Sequence, residues 1–123
     1  MAYRIEHTEV YEQWFGKLGD ADQIAVDALI VVLKELGPNL PFPYSSGVNR
    51  SKHSHMRELR KQHKGKVYRI LYAFDPERAA VLLLGGNKIG HKRWYVENVP
   101  IADRLYDEHI DELKRKKKGR LKK

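Results

Sequence analysis

Four charged residues between positions 58 and 88 have the types and spacing that phosphate chemistry requires. They are Glu58, Arg60, Arg69 and Lys88. Side chains alternate along a strand, so Glu58 and Arg60 share one face, and pairing of neighbouring strands brings Arg69 beside them. Guanidinium groups bind phosphate oxygens in a bidentate manner and stabilise the charge of a phosphorane transition state. RNA supplies its own nucleophile, the 2′-OH, so this set predicts RNA chemistry that requires no metal.

Proton transfer is the remaining task, and a lysine, tyrosine, histidine or glutamate performs it when its pKa is tuned. The sequence leaves open which of these groups acts. It also leaves open a simpler interpretation, in which Arg60 and Arg69 only pair with Glu58 and other carboxylates on a solvated sheet face, because such ion pairs are commonplace.

Aromatic residues stand beside basic residues further along the chain, where Trp94 and Tyr95 follow Lys92 and Arg93. Aromatic rings among basic side chains stack on nucleic-acid bases, which favours Tyr95 as a residue that contacts the substrate. Trp94 is instead expected to anchor the last helix to the sheet. Further contacts with RNA are predicted at Arg57, Lys61, His55, His91, Lys92 and Arg93.

Four of the six histidines lie in this basic middle region, at positions 53, 55, 63 and 91. None of them has an aspartate, glutamate or histidine partner at a recognised metal-ligand spacing. We therefore expect no metal ligand and no cofactor, and we expect these histidines to lie on the surface or to contact RNA.

Hydrophobic periodicity predicts the elements that position these residues. Strands are predicted at residues 3–6, 55–61, 67–74 and 79–84, and helices at 8–17, 20–36 and 100–113. Gly85 and Gly86 are expected to end the last strand, and Pro100 to lie in the first turn of the last helix. The order β-α-α-β-β-β-α predicts an α+β fold in which a small antiparallel or mixed sheet has helices on one face and its other face open.

The charge is divided into blocks along the 123-residue chain, whose formal net charge is +8. Residues 41–100 hold 12 basic and 4 acidic groups, and residues 113–123 hold 8 basic groups and no acidic one. A polyanion, either nucleic acid or an acidic protein, is the natural partner of such regions. No apolar stretch is long enough for a membrane span, and the absence of cysteine excludes disulfides and thiol catalysis and fits a cytoplasmic protein.

The domain boundary is expected at the start of the lysine-rich C-terminus. Residues 1–112 are predicted to form a single domain, because a split would leave two pieces too small to bury a core. Residues 113–123 are predicted to form a disordered basic tail that strengthens non-specific contact with RNA by releasing counterions.

Three motifs, in this order, resemble the phage-derived HigB-like branch of the RelE/ParE toxin superfamily. They are Met56-Arg57-Glu58-Leu59-Arg60, the segment Gly65–Tyr72 with its Tyr-Arg pair, and Leu84-Gly85-Gly86-Asn87-Lys88. The resemblance covers roughly residues 3–113 and includes Trp94-Tyr95 and Ile101-Ala102-Asp103. It implies a RelE-like α+β fold with the element order that the periodicity predicts.

The resemblance also implies an activity, that of a ribosome-dependent, metal-independent mRNA endoribonuclease which leaves a 2′,3′-cyclic phosphate. By motif position, Arg60 and Arg69 are implied to bind the phosphate, Lys88 to bind the phosphate or transfer a proton, and Tyr95 to orient the substrate. Glu58 stands where RelE members often carry lysine, so Glu58 itself or a histidine is a candidate for the general base.

The implied partners are the ribosome with its mRNA and a cognate antitoxin, a small helix-turn-helix protein with an acidic segment that covers the basic surface. An oligomer is then expected through the toxin–antitoxin complex. Two other functions fit the same fold: a ParE-like toxin that inhibits gyrase, and an RNA-binding protein without catalysis. The clustered arginines and lysine favour the ribonuclease, because a gyrase inhibitor needs no such constellation.

Overall fold

A five-stranded sheet and three helices make up the fold in the computed structural model, which describes residues 2–121 and the side chains of residues 2–119. The strands are β1 (Arg4–His7), β2 (Ser45–Gly47), β3 (Arg57–His63), β4 (Lys66–Phe74) and β5 (Ala79–Asn87). The helices are α1 (Glu9–Gly16), α2 (Asp20–Leu36) and α3 (Trp94–Leu121), with a 3-10 turn at Gly37–Asn39. No helix in the described part of the chain is long and apolar enough to cross a membrane.

The strand order across the sheet is β1-β5-β4-β3-β2. Strand β1 runs parallel to β5, and every other neighbouring pair is antiparallel. The predicted α+β class and mixed sheet are confirmed. Strand β2 was not predicted, since it lies in a segment rich in proline, glycine and serine, and only its pairing with β3 makes it extended.

Helices cover both faces of the sheet, so the predicted open face is wrong. Helices α1 and α2 pack on one face around Val26, Leu33 and Ile70, and α3 packs on the other around Leu71 and Val99. The prediction failed because β4 alternates between two apolar sets. Leu71 and Ala73 point to the α3 face and are as deeply buried as Ile70 and Tyr72, which point to the face covered by α1 and α2.

The helical hairpin begins at Thr8, whose side-chain oxygen accepts a hydrogen bond from the Tyr11 N–H and caps α1. Helix α2 ends at Gly37, which adopts a φ of +55°. A Cβ atom at this position would lie 2.2 Å from the Tyr3 ring. Glycine therefore allows the chain to turn back against the start of β1.

Strand β5 continues through Gly85 and Gly86 to Asn87, so the prediction that the glycines end it is wrong. Two indole rings lie against these glycines from opposite faces of the sheet. A Cβ atom on Gly85 would lie 2.4 Å from Trp14, and one on Gly86 would lie 2.6 Å from Nε1 of Trp94. The glycines remain in the strand because their missing side chains leave room for tryptophans.

Helix α3 is longer than predicted at both ends. It begins at Trp94, because Trp94 and Val99 are buried against the sheet, and Pro100 therefore lies inside the helix. It continues to Leu121, where a disordered tail was predicted from residue 113. Lysine and arginine are good helix formers, and Arg115 pairs with Glu112 at 2.7 Å, which favours the continuation. Residues 122 and 123 of the predicted tail lie outside the described residues.

Candidate active site

The strand register brings the four charged residues between positions 58 and 88 together on the α3 face of the sheet. Arg60 of β3 lies directly opposite Arg69 of β4, and Arg69 lies opposite Gly86 of β5. The Lys88 N–H donates to the Val67 carbonyl at 2.9 Å and extends this pairing beyond the end of β5. The prediction that Glu58, Arg60 and Arg69 share one face of the sheet and lie next to one another therefore agrees with the structure.

Glu58 is the centre of the cluster and is buried, with 5% of its surface exposed. Its Oε1 accepts a hydrogen bond from the Tyr95 hydroxyl at 2.6 Å and lies 3.4 Å from Arg69 Nε. Its Oε2 accepts from Ser46 Oγ at 2.7 Å and from Arg60 Nη1 at 3.4 Å. Both carboxylate oxygens are thus engaged, and the carboxylate holds two guanidinium groups and one hydroxyl in place.

Arg69 is almost as buried as Glu58, with 4% of its surface exposed. Its Nε donates to the Tyr95 hydroxyl at 3.2 Å, and its Nη1 donates to the Tyr68 carbonyl at 3.0 Å. These bonds engage two of the three guanidinium nitrogens and fix the plane of the group. A fixed, desolvated guanidinium interacts strongly with an anion, since it needs little reorganisation on binding.

Tyr95 reaches the cluster because the residue before it anchors the helix. The buried Trp94 ring packs against Gly86, and the Trp94 and Tyr95 rings meet edge to face with centroids 5.2 Å apart. Burial, with the hydrogen bond to Glu58 in second place, raises the pKa of the Tyr95 phenol. The expectation that Trp94 anchors the last helix is confirmed.

Lys88 lies at the edge of the cluster, with its Nζ 5.2 Å from the centre of the Tyr95 ring. Desolvation, followed by repulsion from Arg69, lowers the pKa of the Lys88 ammonium group. Arg60 and Arg69 thus contact the carboxylate of Glu58, and Lys88 adds a third cation beside the Tyr95 ring. This excess of positive charge gives the site affinity for an anion such as a phosphate.

A cleft of about 540 Å³ adjoins the cluster between α2 and the edge of β3. Its apolar wall includes Leu29, Val32 and Tyr44, and Arg60 and Lys61 contribute the basic wall. The Arg60 guanidinium lies 5.2 Å from the ring centre of Phe42, which is 69% exposed. Cationic and aromatic groups therefore stand side by side at the mouth of the site.

The other residues predicted to contact RNA divide into two sets. Lys61 lines the cleft, and His91, Lys92 and Arg93 are exposed in the turn before α3, close in sequence to Tyr95. The structure does not bring Arg57 or His55 to the cluster. Arg57 lies on the opposite face of β3 and donates to Ser45 Oγ at 2.9 Å, and the His55 ring contacts the Tyr106 hydroxyl at 3.0 Å.

Sequence reasoning missed Ser46, Phe42 and Asn87. Ser46 and Phe42 belong to the irregular segment before β3, where no periodic signal indicates which side chain points toward the sheet. The Asn87 side-chain oxygen accepts from the N–H groups of Val67 and Ile89 and shapes the turn that carries Lys88. An asparagine between a glycine pair and a lysine was the one signal available for such a turn.

A group of possible metal ligands lies at the other end of the sheet. Donor atoms of Glu6, Asp75 and His109 fall within 4.8 Å of one another. Asp75 Oδ1 accepts from the N–H groups of Glu77 and Ala79, and Oδ2 lies 2.8 Å from His109 Nε2. These contacts are those of a residue that caps the β4–β5 turn and pins α3 to it.

Comparison with known proteins identifies the family of this chain. Residues 13–107 match the family of phage-derived Gp49-like proteins. The chain is 47% identical over 93 residues to the Mycobacterium tuberculosis protein named "Putative toxin HigB3", a match that covers 75% of this chain and 80% of that protein. It is 40% identical over 111 residues to "Putative toxin HigB2" of the same organism, over 89% of this chain and 55% of that protein.

A solved structure shares the fold. It is the crystal structure of the toxin–antitoxin complex RelBE2 from Mycobacterium tuberculosis, with a TM-score of 0.55 and 20% sequence identity. The match covers 71% of this chain and 99% of the chain in that structure. The motifs on β3, β4 and β5, the family match and this fold agree. The chain belongs to the phage-derived Gp49-like family, is HigB-like in sequence, and has a RelE-like fold.

Proposed function

We propose that this protein is the toxin of a type II toxin–antitoxin pair and acts as a metal-independent endoribonuclease on mRNA in translating ribosomes. The observation that carries the proposal is the convergence of Arg60 and Arg69 on Glu58, with Lys88 close by against the Tyr95 ring. Three cations and one carboxylate suit a phosphodiester, and a 2′-OH attack needs only charge stabilisation and proton transfer from the protein.

Each residue has a distinct proposed role in this reaction. Arg60 and Arg69 bind the non-bridging oxygens of the scissile phosphate and stabilise the added charge of the transition state. Lys88 accepts the proton of the 2′-OH, since its lowered pKa enlarges the fraction of neutral amine that can act as a base. The O–P bond to the 5′-oxygen breaks, the leaving 5′-oxygen takes a proton from solvent to form a 5′-hydroxyl, and a 2′,3′-cyclic phosphate remains.

Glu58 has a positioning role in this proposal. A carboxylate that already accepts from Tyr95 and Ser46 and pairs with Arg69 and Arg60 has no free oxygen for the 2′-OH. It holds the guanidinium groups at the spacing set by the β3–β4 register. The Tyr95 ring is held beside Lys88 by the same carboxylate, and it orients the nucleotide.

The proposed partner in the cell is a cognate antitoxin with a helix-turn-helix domain and an acidic segment. The chain with which this protein shares its fold belongs to a toxin–antitoxin complex. An acidic segment with apolar side chains complements the cleft beside Arg60, where Lys61 is basic and Val32 and Tyr44 are apolar. Binding there covers the site and blocks RNA, and complementary charge accelerates the association.

The test of the function is to map mRNA 5′ ends after brief expression of the wild-type chain and of Arg69→Ala. New ends within translated regions are expected for the wild type and not for Arg69→Ala. Exposed Lys17, far in sequence from the cluster, supplies the control Lys17→Ala, which is expected to cut like the wild type. Intact mRNA together with inhibited DNA supercoiling would contradict the proposal and favour a gyrase inhibitor.

A further inference from the structure

The end of α3 is a basic helical segment that the candidate active site does not use. From Lys114 to Lys118 every residue is lysine or arginine, and all five side chains are exposed. Lys114, Lys117 and Lys118 recur at spacings of three and four and share one side of the helix. We call residues 114–118 the basic arm.

The basic arm leaves the sheet at the end opposite the candidate site. His109 Nε2 contacts Asp75, in the β4–β5 turn, at 2.8 Å. Arg69 and Gly86, in contrast, pair near the other end of the same two strands. Tyr95 and Lys114 are separated along α3 by about 29 Å at 1.5 Å per residue. A group bound by the arm is therefore distant from a phosphate bound by Arg69.

The residue composition of the basic arm favours a phosphate backbone over a protein surface as its binding partner. Protein interfaces are anchored by buried aromatic and apolar side chains and are depleted in lysine. Five consecutive cations without an apolar residue instead suit a sequence-independent phosphate lattice, where binding gains from counterion release. Like charges at i and i+4, as at Lys114 and Lys118, also repel each other in the free helix, and bound phosphates relieve this repulsion.

We propose that the basic arm binds the phosphodiester backbone of folded RNA, at a place separate from the strand held at the Arg60–Arg69–Lys88 cluster. This inference rests on the proposed function in one respect, namely that the cluster binds RNA. It deepens that function, because an enzyme with a second, remote RNA contact recognises a cleavable strand together with the folded RNA around it. The arm supplies affinity and position, and the cluster supplies the chemistry.

The test compares binding of two RNA probes as salt is varied. One probe is an RNA duplex, and the other is a single strand too short to span about 29 Å. The Lys114→Gln, Lys117→Gln, Lys118→Gln triple variant removes three charges and keeps helix propensity close to that of lysine. For the duplex, the slope of log K against log salt is expected to become shallower by about 2 to 3, at about 0.9 per lost phosphate contact. Affinity for the short strand is expected to stay unchanged.

A matched control removes three exposed positive charges elsewhere, by Lys17→Gln, Lys34→Gln and Arg104→Gln. It is expected to keep the wild-type slope, whereas a triple Lys→Arg variant of the arm keeps both charge and slope. The proposal is overturned if the arm variant keeps the wild-type slope, if the control loses as much, or if the arm variant loses the short strand equally. Loss of antitoxin affinity with unchanged duplex binding also overturns it.

All of these measurements use chains that also carry Lys88→Arg, which keeps the positive charge of the cluster and is expected to suppress cutting of the probes. Binding is thereby separated from catalysis. A failure of the proposed ribonuclease activity would leave the duplex measurement interpretable, and a failure of the arm would leave the mapped mRNA ends interpretable.

Discussion

Two buried carboxylates on opposite faces of the sheet, Glu58 and Asp22, each hold a cluster of basic and hydroxyl groups. Glu58 on the α3 face contacts Arg60, Arg69 and the Tyr95 hydroxyl. Asp22, the first-turn aspartate of α2 on the other face, contacts Lys66, His63 and the Tyr68 hydroxyl, the last at 2.7 Å. Each carboxylate is 5% exposed. The two clusters are thus built from the same kinds of group at similar depth.

The difference between the clusters lies in their balance of charge. Asp22 is matched by the ammonium of Lys66, and the nearby His63 carries charge only when it is protonated. Hydrogen bonds from Lys66 and Tyr68 lower the pKa of the Asp22 carboxyl. Its contacts fasten α2 to the β3–β4 hairpin. The Glu58 cluster keeps an excess of two cations, and that excess is what an incoming phosphate would neutralise. A buried network of polar groups alone therefore does not indicate a phosphate-binding site, whereas a network with an excess of positive charge does.

The largest effect on cleavage is expected at Lys88. In Lys88→Arg the positive charge remains but the group no longer deprotonates near neutral pH, so we expect cleavage to fall by about 10²- to 10⁴-fold. In the wild type, cleavage is expected to rise with pH until the lowered pKa of Lys88 is passed, because the neutral amine is the active form. Single-turnover rates against pH measure both effects. Full activity of Lys88→Arg would mean that Lys88 only binds phosphate.

A smaller loss is expected at Glu58, and its pattern separates positioning from base catalysis. Glu58→Gln keeps an oxygen acceptor for Tyr95, so we expect a loss within about tenfold, whereas Glu58→Ala leaves two guanidinium groups unheld and loses more. In both variants the rise of cleavage with pH is expected to persist and to move to lower pH, because the Glu58 carboxylate raises the pKa of Lys88. If glutamine costs as much as alanine and the rise of cleavage with pH disappears, Glu58 is the base.

The packing beneath Tyr95 is tested by Gly86→Ala. A methyl group there would lie 2.6 Å from Trp94 Nε1, so the start of α3 must shift, at a cost of about 1–3 kcal/mol. Cleavage is expected to fall with the loss of Tyr95 alignment, and the tryptophan fluorescence to change. Gly16→Ala is the control, since a Cβ atom at Gly16 has nothing within 4 Å. Equal cleavage by both variants would show that Tyr95 does not require this alignment.

The smallest effect on cleavage is expected at Asp22, where the effect on stability is clear. Asp22→Asn is expected to lower Tm and to leave the cleavage rate of the folded protein unchanged. The pKa of Asp22 is lower in the folded state than in the unfolded state, so its ionised carboxylate stabilises the fold at pH values above the unfolded pKa. This stabilisation is lost as pH falls through the folded-state pKa. The difference in Tm should therefore be full at neutral pH and should shrink below about pH 4. A loss of cleavage in folded Asp22→Asn would remove the contrast between the two clusters.

The sequence by itself determined the order of every strand and α-helix except β2, the alternation of β3 and β4, and the motif residues of the site. These follow from local periods, since a side chain two residues along a strand returns to the same face. The placement of Arg60 beside Arg69 depended only on pairing consecutive antiparallel strands. The role of Trp94 as an anchor was also available from its apolar surface.

Only the tertiary structure decided the rest. It showed that α3 covers the face predicted to be open, that β5 continues through Gly85 and Gly86, and that Ser46 holds Glu58. None of these has a local signal, because each depends on a partner distant in sequence: Trp14 and Trp94 for the glycines, and the β2–β3 pairing for Ser46. The balance of charge around Glu58 is likewise a property of three strands brought together, since it depends on which cations share one carboxylate.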